Sequence, residues 1–365
     1  MSDWSFWVCD TRTGVKQLQL TPASGSWSRK LNASGSGSHV FQLAPGDGIP
    51  WRSLVVPWSR TIVVCRHDIP VYAGVIQNSV YDQPTMTLTV NHTDIRDIFA
   101  KRYPFGTAGY WSNAPTDTIP GALVCTNLSL RAIAAAVVGA AVVGPFATYS
   151  LPIVLPSATE AGSASMTFQN YNFVAVADAL TTIQALGPDI DFQPSWSASN
   201  TLQWTMRTGT PTVPAMTGSV FEWNMSTPKP ALAALSVTVD GGKQLTGQFT
   251  VGTGSEQDMV VGGIGLGLAA TIPALDIVNN QKSIDNAPAL AAYSTAALAA
   301  YSAPTTQWAA GILANDPVAP VETLLLGSTF RMFFEGDPWI PDGWASCRLI
   351  GYAGDMTETI VPTFQ

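Results

Sequence analysis

Two carboxylate pairs are the first candidates for chemistry. Asp189 and Asp191 would project from one face of a strand, and Asp337 and Asp342 flank a proline-containing turn. A glycosidase uses two such carboxylates, one as acid and the other as base or nucleophile. Asp is equally a turn former and strand-end residue, and a calcium loop over 337–342 would need a denser run of oxygen ligands. His39, His67 and His92 all lie in the first third of the chain, too far apart to read as a metal set. Cys9, Cys65, Cys125 and Cys347 form no C-x-x-C pair, and none stands beside a histidine. Neither G-x-S-x-G nor H-E-x-x-H occurs. Val261-Gly-Gly-Ile-Gly-Leu-Gly267 imitates a dinucleotide loop, yet Pro273 follows closely and no βαβ unit surrounds it. A flexible or tightly packed glycine segment is expected there. The sequons at Asn32, Asn91, Asn127 and Asn224 are what a Ser/Thr-rich chain produces by chance. The residues therefore predict no catalytic, cofactor-binding or metal site, and a protein that is not an enzyme.

The elements around these residues predict an α+β, β-rich fold. In residues 1–100, short apolar or alternating runs (Trp4 to Cys9, Val15 to Leu20, His39 to Leu43, Thr61 to Cys65, Val71 to Ile76, Met86 to Val90) are separated by turn chemistry such as Ala44-Pro-Gly-Asp-Gly48. That spacing predicts a small barrel or sandwich. Residues 101–225 read as a mixed α/β middle region. Helices are expected over Asp94 to Ala100, Leu128 to Val143 and Phe173 to Leu186, the last stopped by Gly187-Pro188. Strands follow at Asp191 to Pro194 and Thr201 to Met206. Residues 226–365 return to strands. A hairpin is expected across Asp240-Gly241-Gly242, strands over Thr323 to Leu326, Thr329 to Phe334 and Ser346 to Tyr352, and an Ala-rich helical insertion near 287–301. Residues 60 to 76 and 328 to 351 share a plan of strand, Asp-containing turn, strand. That faint repeat predicts two related small β-barrel domains, 1–100 and 226–365, around the middle region.

Composition narrows the function further. The chain has 365 residues and 46% hydrophobic residues, enough for real cores, but only 12% are charged. Such a chain is expected to cover part of its surface with copies of itself or with partners, and its 12 Trp suit flat contact surfaces. With 17 Lys and Arg against 25 Asp and Glu, a net charge of −8 argues against a stable grip on nucleic acid. Ala132 to Phe146 is apolar over 15 residues, short of the roughly 20 that span a bilayer. A buried or interface helix is expected, and no membrane span.

The order of motifs carries a resemblance. Phe6-Trp-Val-Cys-Asp10, Thr13-Gly14, Trp27-Ser28 and Leu31-Asn-Ala-Ser-Gly35-Ser open the chain. Trp51-Arg-Ser, Pro57, Arg60-Thr-Ile-Val-Val and Pro70-Val-Tyr-Ala-Gly74-Val-Ile follow. Further on come Phe173 to Gly187 with Asp189-Ile-Asp-Phe, then Leu326-Gly327, Arg331, Asp337-Pro, Pro341-Asp-Gly343 and Arg348-Leu-Ile-Gly351. In that order, over nearly the whole chain, they resemble the tail hub (minor tail, baseplate hub) proteins of long-tailed phages infecting actinobacteria. The resemblance implies paired barrels and a homotrimer at the tail tip that closes or adapts the tube. It implies contacts with tail tube and distal-tail proteins, the tape measure protein and other tip or receptor-binding proteins, with DNA only in transit. A distal-tail ring protein or receptor-binding adhesin is the alternative, and a wall-degrading tail enzyme ranks third. No wall-degrading appendage is read in the chain, which ends at Gln365 in strands.

Met1-Ser2-Asp3-Trp4 lacks the basic and apolar regions of a secretion signal, so assembly in a host cytoplasm and residence in the virion are expected. In that reducing compartment the four cysteines should be unbridged. Alkylation of the denatured chain without reductant should label all four by mass spectrometry; a protected pair would refute this reading of the compartment.

Overall fold

The computed structural model describes residues 3–106, 121–143, 147–227, 232–267, 272–281 and 284–365. The end of the apolar run, Gly144 to Phe146, and the boundary near Pro230 lie outside them. The chain forms two compact units. The first comprises Met1–Ala234 and Ala310–Phe364, and the second is essentially Leu235–Ala309, inserted between those stretches.

In the first unit, β1 (Trp4–Asp10), β2 (Lys16–Leu20), β3 (Ser24–Lys30) and β4 (Ser36–Gln42) precede one helical turn, α1 (Trp51–Leu54). Strands β5 (Arg60–Arg66), β6 (Ile69–Asp82) and β7 (Thr87–Asp94) follow. They hydrogen-bond in the order β2-β1-β5-β6-β7-β4-β3, every neighbour antiparallel. His67 and Asp68, both at positive φ (47° and 62°), make the tight turn between β5 and β6. The continuous apolar run in β5 has a physical reason. Val63 and Cys65 enter one core and Ile62 another, so both faces of the sheet are covered there.

The middle region supplies the first of those cores. The segment expected as a helix from Asp94 is a 3-10 turn, Ile95–Lys101, because the Asp94 carboxylate accepts the Arg96 N–H at 2.9 Å and tightens its start. Strands β8 (Ala122–Leu128) and, later, β10 (Ala164–Gln169) pair antiparallel, and α2 (Leu130–Val142) lies between them in sequence. Ser129 caps α2, accepting the Ala132 N–H at 3.2 Å. Ala132, Ala134, Ala135, Val137, Val138 and Ala141 are buried, and no helix among the described residues is long and apolar enough to cross a membrane. The two-residue β9 (Ile153–Val154), helix α3 (Val176–Gln184) and strands β11 (Ile190–Trp196) and β12 (Leu202–Thr208) complete the region. Ile133 and Val137 of α2, Leu180 and Ile183 of α3, and Phe192 and Trp204 of the strands share one core with Val63 and Val75.

Strand β13 (Val220–Asn224) runs parallel to a late strand, and β14 (Leu232–Asp240) then carries the chain out of the first unit. The inserted unit holds β15 (Gly247–Val251), β16 (Val261–Gly265), β17 (Asp276–Asn280) and helix α4 (Ala287–Tyr301), after which β18 (Thr305–Leu313) leads back. Asp240 and Gly242 do form a turn, Gly242 N–H donating to the Asp240 carboxylate at 2.8 Å. The expected hairpin does not follow, because β15 takes β16 and β17 as partners and turns Gln248 and Thr250 toward α4. Thr250 and Ser294 hydroxyls meet there at 2.7 Å. The glycine segment resembling a dinucleotide loop is therefore mostly a strand. A Cβ on Gly262 would lie 2.4 Å from the Ala291 nitrogen, so the missing side chain lets α4 approach.

Three strands close the chain: β19 (Thr329–Phe334), β20 (Gly343–Asp355) and β21 (Thr359–Phe364). Leu324 to Leu326, expected as strand, instead follows a 3-10 turn at Val321–Thr323. Strand β19 lies between β13 and β20, and β20 also pairs with β21 and with β3, Tyr352 opposite Arg29. Strands from both expected barrel regions thus belong to one sheet. No sheet closes on itself among the described residues, so the hydrogen bonding makes open sheets instead of the two closed barrels suggested by turn spacing.

Because backbone, not a flexible side chain, faces Gly262, Gly262→Ala must displace α4. A loss of about 1–3 kcal/mol is expected. Hydrogen exchange should locate it in α4 and β15, with the first unit's protection unchanged.

Candidate functional site

Of the two carboxylate pairs that suggested chemistry, Asp189 and Asp191 are buried and matched to arginines. Asp191, in β11, and Arg29, in β3, are 5% and 2% exposed. Arg29 Nη2 lies 2.7 and 2.8 Å from the two Asp191 oxygens. The same guanidinium donates to Gln193, to the Phe192 carbonyl at 3.3 Å and to the Tyr352 hydroxyl at 3.2 Å. A second cation, Arg207, stands 3.6 Å from Asp191. Asp189, just ahead of β11, takes Asn32 Nδ2 at 2.6 Å, Met216 N–H at 2.8 Å and the Arg348 guanidinium. These are linkages between strands. A glycosidase pair would need one carboxyl free to give a proton and the other to take one or attack. Here both are occupied by donors.

Asp94 adds a titratable group beside this network. Burial pushes its carboxyl up to about 7, against the Arg96 N–H bond and the charge of Arg29, which act in the other direction.

Sequence spacing missed the meeting of two histidines. Strands β4 and β7 are neighbours, and His39 Nδ1 lies 2.7 Å from His92 Nε2, with the Tyr72 hydroxyl 3.0 Å from His92 Nδ1. Burial lowers the His39 pKa to about 4; burial, then His39, lowers that of His92. Both are therefore neutral at pH 7. With its proton on Nε2, His92 donates to His39 and accepts from Tyr72, one proton serving each contact. Gly25, Gly37 and Gly74 make the space: a Cβ there would lie 2.2 to 2.4 Å from the His39 ring, the His92 ring and the Tyr72 hydroxyl. His67 is elsewhere, 3.0 Å from Glu322. Among the described residues no three His, Cys, Asp or Glu side chains gather as a metal site. The four cysteines are free and buried, and burial pushes the thiols of Cys9, Cys65 and Cys347 up to about 12, far from reactive thiolates.

The outer surface carries contact chemistry. Asp337 accepts the N–H groups of Trp339 and Ile340, each at 2.8 Å, and Asp342 accepts that of Gly336 at 2.6 Å, so both shape the β19–β20 turn. That turn presents Trp339 at 75% exposure. Near it Trp344 is half exposed, with Arg331 4.8 Å from its ring centroid.

Two substitutions test the buried network. Arg29→Met leaves Asp191 buried without its main partner and should cost about 3–5 kcal/mol, read from the urea midpoint. An unfolded Asp94 titrates near 4 and the folded one near 7. Between those values the unfolded chain releases a proton that the native state keeps, so stability should fall as pH rises through this window and then level. Asp94→Asn should remove that slope; a slope unchanged in the variant would assign it to another group.

No protein-family model matches the sequence, and no curated protein matches it. Solved structures do. A tail protein from Neisseria meningitidis MC58 is similar at a TM-score of 0.60 and 14% identity, over 99% of this chain and 96% of that one. The 43 kDa tail protein of prophage MuSo2 from Shewanella oneidensis is similar at 0.60 and 10% identity, over 99% and 98%. A chain in the Francisella PdpA–VgrG complex is similar at 0.52 and 8% identity, this chain spanning 57% of it. Such identities establish the fold. From end to end, this chain has the fold of those two tail proteins.

Proposed function

We propose that the chain is a structural protein of a phage virion, the trimeric hub at the tail tip of a long-tailed phage infecting actinobacteria. The observation that carries this reading is the extent of the likeness, 99% of this chain and 96% and 98% of two tail proteins. The motif order along the sequence points the same way. In this reading residues 1–100 dock on the tube, 101–225 form the mixed middle region, and 226–365 supply a second tube-facing β region. The partners are two further copies, tail tube and distal-tail proteins, the tape measure protein and tip or receptor-binding proteins. Assembly takes place in the host cytoplasm and the product resides in the virion.

Charge supports a role in passage. A net charge of −8 on a chain with so few charged groups would make a shared lumen repel phosphates, so DNA slides through without sticking. The chemistry of the carboxylates favours a structural role over wall degradation, since Asp189 and Asp191 are engaged by arginines.

The hairpins β5–β6 and β19–β20 share a plan, and two related β regions per chain would let three chains present six similar units to a sixfold tube. Electron microscopy of tails should show threefold symmetry at the position of this chain, with interfaces beyond the ~1,600 Å² class. A sixfold ring of the chain overturns the hub reading in favour of a distal-tail ring. Superposing 1–100 on 226–365 tests the repeat, and unrelated folds would end it. A distinctly basic lumen would refute the electrostatic role.

A further inference from the structure

Trp58 has a φ of +62°, a left-handed conformation that a bulky residue adopts only when its surroundings impose it. Its N–H is tied to the Ile76 carbonyl at 2.7 Å, and the residue, 37% exposed, borders an open pocket of 420 Å³. Three cations border the same pocket: Arg12, Lys101 and Arg102. Lys101 Nζ lies 5.2 Å from the Trp58 ring centroid and makes no hydrogen bond among the described residues. Arg12 gives its guanidinium to one carbonyl, Ala147, at 3.2 Å, and Arg102 gives its own to the carbonyls of Ala141, Thr148 and Tyr149.

None of the three has a carboxylate partner among the described residues, as holds also for Arg52 and Arg96, whereas Arg29, Arg60, Arg66, Arg131, Arg207, Arg331 and Arg348 each have one. The pocket's own carboxylate, Asp10, is taken by Thr13 and by Arg60 at 2.8 Å. Three cations and one carboxylate leave two positive charges in the lining of one pocket, on a chain whose total is −8. Ile98 and Leu151 add apolar wall.

We propose that this pocket receives an acidic segment of another polypeptide. An Asp or Glu carboxylate sits between Lys101 and Arg12, and an adjoining apolar side chain lies against Trp58. Charge complementarity selects the occupant. Three cations in one localised patch do not make the track that a nucleic-acid backbone requires, and the acidic balance elsewhere repels phosphate. A carboxylate flanked by apolar groups matches a pocket that combines a tryptophan, aliphatic walls and unpaired cations.

The test uses virions and so rests on the tail reading. A carbodiimide joins an amine to a carboxylate in contact, forming an amide with loss of water, and linked peptides are read by mass spectrometry. In virions Lys101 should be joined to an Asp or Glu of another chain, a link absent from the free protein. Lys101→Ala and Trp58→Gly should each lower incorporation into particles by about tenfold or more, with Lys101→Arg close to the parent. Trp58→Gly relieves the left-handed strain but loses the buried part of the side chain, so Lys101→Ala, whose melting temperature should match the parent while incorporation falls, separates docking from folding. Virions that contain the chain with Lys101 unlinked, or linked only within its own chain, overturn the pocket. Binding of the free protein to DNA that falls with salt and is lost in Lys101→Ala overturns it in favour of nucleic acid. A chain absent from virions overturns the tail reading and the partner with it.

Discussion

The buried pair of Arg29 and Asp191 is the constraint on which the first unit depends. It ties β3 to β11, and through the Tyr352 hydroxyl to β20, three strands far apart in sequence. Removing both charges from water is costly, and the attraction offsets that cost only when the remaining donors and acceptors are satisfied. Gln193, the Phe192 carbonyl and Arg207 perform that function. The pair therefore contributes more to specificity than to net stability. Any slip in register between β3 and β20 would pull Arg29 from the Tyr352 hydroxyl and leave a buried donor unsatisfied.

A chain with so little charge places much of it inside. Arg29, Arg66, Arg96, Asp189 and Asp191 are all buried, so the outer surface is poorer in charge than the composition alone implies. What remains outside includes tryptophans such as Trp339 and Trp344 and exposed apolar residues of the inserted unit, Phe249 and Val278 among them. That distribution suits a protein whose surface meets other surfaces, because flat aromatic groups are strong contacts when water is excluded.

Small residues set how close the elements come. Gly262 admits α4 to the sheet of the second unit, and Gly25, Gly37 and Gly74 admit the His39, His92 and Tyr72 side chains between strands of the first. The histidines are held neutral there as packing groups joined by hydrogen bonds. In both places the glycine matters for the volume it leaves and not for an unusual backbone angle, since none of the four is among the positive-φ glycines.

Much of the local structure was legible because it depends on neighbours in the chain. The alternation in β7, the apolar run of β5 and the Ala-rich helix α4 are each decided within a few residues. The engaged state of Asp189 and Asp191 was not legible, because their partners Arg348 and Arg29 are more than 150 residues away. Nor was the meeting of His39 with His92, which follows from the pairing of β4 with β7. Strand partners were the weakest point. Local turn chemistry at Asp240 to Gly242 made a turn but could not dictate which strand β15 would join, and turn spacing could not show that β3 and β20 share a sheet. Short-range sterics and capping determine which segments are strand or helix. Pairing between distant strands, and the matching of buried charges that accompanies it, is decided only when the whole chain has packed.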